Sequence, residues 1–164
     1  HLGTEGYRRL TLDSWQATRG LIDAVASSDA VHLVTEPDAP LLAVTSADVF
    51  THAQAMRERG WQLGATPSLG PSPAHLHFTM TAAHLGLLDE LARDLLETAP
   101  TEVPAAENPL AGIDLASVDP AVIGGLLDAI DLDRDRAMVD AAIDALDPEA
   151  RAAVISAFIQ HLYR

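Results

Sequence analysis

Residues 75–81, His-Leu-His-Phe-Thr-Met-Thr, alternate between polar and apolar side chains without a break. A period of two puts Leu76, Phe78 and Met80 on one side of an extended segment, and His75, His77, Thr79 and Thr81 on the other. The segment is therefore a strand with one apolar and one polar face, and its apolar face requires helices to pack against. The neighbouring sequence supplies them. Residues 2–26 form one predicted helix with Tyr7, Leu10, Ala17, Leu21 and Ala24 on a stripe spaced by three and four. "VHLVT" (31–35) and "LLAVT" (41–45) are short strands flanking the turn-forming "EPDAP". Ser46 is placed to cap a helix over 47–59, with Val49, Ala53 and Met56 inward and Gly60 as its stop. "WQLGA" (61–65) is a further strand candidate, and "TPSLGPSP" (66–73) is a loop. A helix over 84–98 follows the alternating strand, with Leu88, Leu91, Ala92 and Leu95 inward. The fold class is α+β.

Beyond residue 98 the periodicity lapses. The three prolines of "TAPTEVPAAENPLAG" mark a linker, so the chain divides into a domain over 1–99, a Pro/Ala-rich linker over 100–118 and a helical tail over 119–164. In the tail, Asp119-Pro120 and Asp147-Pro148 each set a capping carboxylate before a proline suited to the first helical turn. Helices near 120–132, 135–146 and 148–163 follow. Val122, Leu126, Ile130, Val154, Phe158 and Leu162 form their apolar edges.

Hydrophobic residues make up 48% of the 164 residues, enough for a packed core. With only two Trp, two Tyr and three Phe, aliphatic side chains must fill it. The formal net charge of -14 leaves no basic surface for nucleic acid or for an anionic membrane. No apolar run reaches the roughly 18 residues of a membrane span. Cysteine is absent, which removes disulfides and thiol chemistry and fits a reducing compartment. All ten basic residues are arginine, and the chain opens on His1 in what reads as the interior of a helix. These two features together point to a piece of a longer protein.

The histidines carry the most chemistry. His75 and His77 on one strand face are a zinc-ligand geometry, with His84 or His32 as a third donor. No carboxylate lies within four residues of either, and no metal is expected. Two further readings stand beside that one: a partly exposed polar face, and one wall of a cleft completed by another segment. No serine sits in a Gly-x-Ser-x-Gly setting, and no glycine-rich stretch has the form of a phosphate loop. The residues alone contain no complete active site.

Three stretches, "HLGTEGYRRL", "RERGWQLGATPS" and "PAHLHFTMTAAH", together resemble the C-terminal part of the sphingosine-1-phosphate lyases, within the pyridoxal-phosphate group II decarboxylase-like family. The tail "DRAMVDAAIDALDPEARAAVISAFIQHLYR" is similar more loosely, and the linker and residues 114–132 match weakly. The resemblance implies the C-terminal small domain of a fold-type I enzyme followed by a helical tail. It implies pyridoxal 5'-phosphate as cofactor, held mainly by an upstream large domain, in a cytoplasmic homodimer. The activity implied is cleavage of a carbon–carbon bond in a phosphorylated sphingoid base, a phosphorylated amino alcohol, to an aldehyde and phosphoethanolamine. The family's Schiff-base lysine lies upstream, so no catalytic residue is expected in this chain, and the chain alone is expected to be inactive. His75 and His77 become substrate-cleft candidates. His77 stands where an Arg grips the substrate carboxylate in relatives that act on amino acids. An amino-acid decarboxylase is the alternative within the family, and a non-catalytic acidic interaction module is the alternative outside it.

Overall fold

The computed structural model describes residues 2–102, 131 and 135–162. The chain divides into two compact units, His1–Pro104 and Ala105–Arg164. In the first, helix α1 (Gly3–Ala26) leads into strand β1 (His32–Leu33), strand β2 (Leu41–Thr45) and helix α2 (Val49–Glu58). Strands β3 (Ala65–Thr66) and β4 (His75–Thr79) follow, then a 3-10 turn (Ala82–Leu87) that runs into helix α3 (Leu88–Glu97). The sheet is ordered β1-β2-β4-β3, and every neighbouring pair is antiparallel.

The alternation in β4 determines which side of the sheet is covered. Leu42 pairs with Phe78 and Val44 with Leu76, and all four are buried. They meet Ala17, Leu21 and Val25 of α1, Val49, Ala53 and Met56 of α2, and Leu91 and Leu95 of α3 in one core. Among the described residues nothing buries the opposite face, where Leu41, His77 and Thr79 are exposed.

The stripe read along α1 holds only for its second half. Ala17, Thr18, Leu21 and Val25 are buried, whereas Tyr7 is 65% exposed and Leu10 40% exposed. The apolar spacing continues through residues 7 and 10, but the first turns extend past the core that would cover them. The predicted "WQLGA" strand shrinks to Ala65–Thr66. Trp61 is diverted by a hydrogen bond from its Nε1 to Asp94 Oδ2, at 2.9 Å. Asp94 also accepts from Arg59 Nη1 at 2.7 Å, and the same guanidinium reaches Glu97 at 2.8 Å. The Arg-Gly-Trp sequence is thus a clasp between the end of α2 and α3. Gly60 supplies the bend at φ 95°, a left-handed conformation that side chains disfavour. The Trp61 and Arg59 hydrogen bonds hold the Asp94 carboxyl at about 2, below its usual range. Pairing with Glu97 and Asp94 raises Arg59 in turn.

In the second unit, α4 (Arg136–Asp144) and α5 (Pro148–Leu162) are described. Asp147 Oδ1 accepts from the amides of Glu149 and Ala150 at 3.0 and 2.9 Å, the cap expected of Asp-Pro. Arg151 reaches back to the Asp144 and Leu146 carbonyls, and Val154 is buried. The expected helix near 120–132 and its edge of Val122, Leu126 and Ile130 lie outside the described residues, as do the side chains of Phe158 and Leu162.

Candidate functional site

The open face of the sheet gathers most of the polar side chains of the strands. Pairing sets them in rows across it. His32 lies opposite Thr45, Ala43 opposite His77, and His75 opposite Thr66. His77 is exposed, with only the methyl of Ala43 beside it on β2. His75 is half-buried, and its Nδ1 donates to the Pro73 carbonyl at 2.9 Å, which leaves Nε2 directed elsewhere. The two sequence-chosen histidines therefore share one accessible wall. No Arg stands in any of the four strands.

The other proposed metal donors are not brought to them. His32 is on β1, and β2 lies between it and β4. His84 is committed locally: its Nδ1 accepts from the Thr81 amide at 3.0 Å and lies 2.9 Å from the Thr81 hydroxyl. It plays the part that Glu or Gln plays in a capping box. Among the described residues, no group of three His, Asp or Glu side chains is placed to hold a metal ion.

Between the start of β1, the end of β2 and residues 100–101 there is an open cleft of about 440 Å³, lined in part by Asp29, His32, Thr45, Ser46 and Thr101. Behind its Ser46 wall stands His52, 0% exposed. His52 Nε2 is 2.9 Å from the Leu95 carbonyl, and its Nδ1 is 3.1 Å from Ser46 Oγ. A carbonyl only accepts, so Nε2 carries the proton and Nδ1 accepts from the serine hydroxyl. Burial lowers the pKa of His52, against smaller opposing effects of the Leu95 hydrogen bond and the Asp48 charge. The sequence reading did not single out His52. Its signal was present: positions 49, 52 and 56 share one face of α2, so the histidine stands in the inward stripe.

No protein-family model matches the chain. It is 30% identical over 113 residues to the sphingosine-1-phosphate lyase of Arabidopsis thaliana, covering 68% of this chain and 20% of that protein. Its fold matches the solved structure of a sphingosine-1-phosphate lyase from Burkholderia pseudomallei K96243, with a TM-score of 0.55 and 20% identity. That match covers 82% of this chain and 27% of the other. The chain thus spans about a fifth to a quarter of the length of the proteins it matches. It is an α+β segment with partial homology to sphingosine-1-phosphate lyase.

Proposed function

We infer that the chain is the C-terminal part of a pyridoxal-phosphate-dependent lyase that breaks a carbon–carbon bond in a phosphorylated sphingoid base. The cofactor cannot be held covalently by these residues, because the chain contains no lysine and so no side-chain amine. Its seat in this reading is an upstream large domain, within a cytoplasmic homodimer, and this chain contributes one wall of the substrate cleft. The observation that carries the reading is the open face of β4. It presents His75, His77 and Thr79 and no guanidinium. A decarboxylase must hold an α-carboxylate, for which Arg supplies a planar two-pronged donor. An amino alcohol has no such group. An imidazole instead donates to a phosphate or hydroxyl, or takes part in proton transfer, without a permanent charge.

The test is His77→Arg in the full-length protein. Release of long-chain aldehyde should fall on the order of 10²-fold, the scale of one lost proton-transfer or transition-state contact. The bound cofactor's absorbance should persist. A variant with an undiminished rate would remove His77 from the cleft.

A further inference from the structure

The open face of the sheet changes character along its strands. At the end where β2 finishes and β4 starts, His32 lies opposite Thr45 and His75 opposite Thr66, and all four side chains are polar. Farther along, Ala43 lies opposite His77, and beyond them Leu41 lies opposite Thr79. Leu41 is 47% exposed and is the one large apolar side chain among the strand residues of that face. It is two residues from Ala43 on β2, so it stands ~7 Å beyond the row that holds His77. Ala43, between them, adds only a methyl group.

We propose that Leu41 contacts the alkyl chain of the substrate and thereby sets a preference for long-chain phosphorylated amino alcohols. The inference rests on the lyase reading above, in which His77 faces the amino alcohol. In such a substrate the phosphate and the alkyl chain leave the amino alcohol at opposite ends, so a wall that meets the middle must treat the two ends differently. A chain running toward His32, Thr45, His75 and Thr66 would strip water from imidazoles and hydroxyls without replacing their hydrogen bonds. A chain running toward Leu41 instead removes apolar surface from water on both partners. Thr79 is the polar side chain opposite Leu41, and it is exposed, so its hydroxyl keeps water as a partner.

The full-length protein tests this with two substrates, one bearing a long alkyl chain on the hydroxyl-bearing carbon and one bearing a methyl group there. Both give phosphoethanolamine, so its release measures kcat/KM for each on one scale. Leu41→Ser should lower kcat/KM for the long-chain substrate about tenfold, the scale of a lost apolar contact, and leave the methyl substrate within about twofold. The loss should appear in KM rather than kcat, because the chain is remote from the bond that breaks and is held equally before and during the reaction. Leu41→Met, which keeps an apolar side chain of similar size, should preserve the preference. Equal losses on both substrates, or a Leu41→Ser preference matching that of the unaltered protein, would overturn the role of Leu41 while leaving the lyase reading intact. No phosphoethanolamine from either substrate with the unaltered protein would overturn the lyase reading, and the role of Leu41 with it.

Discussion

His52 ties α2 to α3 through the Leu95 carbonyl and to the segment before α2 through Ser46, and this makes the stability of the first unit depend on pH. Burial sets its folded pKa below the ordinary 6.5, so the unfolded chain binds the proton more tightly. The stabilisation is complete above pH 6.5 and is lost as pH falls through the folded-state value. The urea midpoint should therefore be lower at pH 5 than at pH 7.5, and His52→Gln should flatten that slope. An unchanged slope in the variant would contradict the assignment. Asp94 acts in a different window. Its carboxyl is held at about 2, chiefly by Trp61 and then Arg59, so its contribution is present above 3.8 and lost only toward about 2. At this scale the sequence was partly legible. His75 and His77 were identified on one strand face because alternation is a local property of the chain. The Leu95 partner of His52 and the Trp61 partner of Asp94 were not, because they lie 43 and 33 residues away in sequence and only packing brings them together.

Among the elements, α2 shows how a correct span can be reached with the wrong cap. Ser46 was expected to start the helix, but Asp48 does so, with its carboxylate on the Phe50 and Thr51 amides and the Thr51 hydroxyl. Ser46 was already engaged by His52. Two substitutions separate these roles. Asp48→Ala should cost about 1 kcal/mol as a lost cap, and speed hydrogen exchange at the Phe50 and Thr51 amides. Ser46→Ala should leave those amides protected and instead cost about 1–3 kcal/mol by stranding a buried ring nitrogen. The opposite exchange pattern would restore Ser46 as the cap. The helices and β2 and β4 were readable because each carries its own period. The two-residue strands β1 and β3 are too short to carry one, and their extent is fixed by what β2 and β4 offer for pairing. The first half of α1 shows the reverse limit. Its spacing predicts burial for Tyr7 and Leu10, but periodicity identifies a face and not what covers it.

At the scale of the whole molecule, a one-sided sheet and a partial match to sphingosine-1-phosphate lyase converge on the same reading. The sheet is covered by helices on one face, and the other presents imidazoles and hydroxyls. The absence of lysine, which looks anomalous in an isolated pyridoxal-phosphate protein, is what a cleft wall without the cofactor's anchor would show. The central claim is that this wall belongs to a lyase acting on a phosphorylated amino alcohol. Its most direct test is product analysis of the full-length protein, supplied in parallel with a phosphorylated sphingoid base and with amino acids. Long-chain aldehyde and phosphoethanolamine in equal amounts, without carbon dioxide from the amino acids, is the predicted result. Carbon dioxide from an amino acid, with no aldehyde from the sphingoid base, would contradict it.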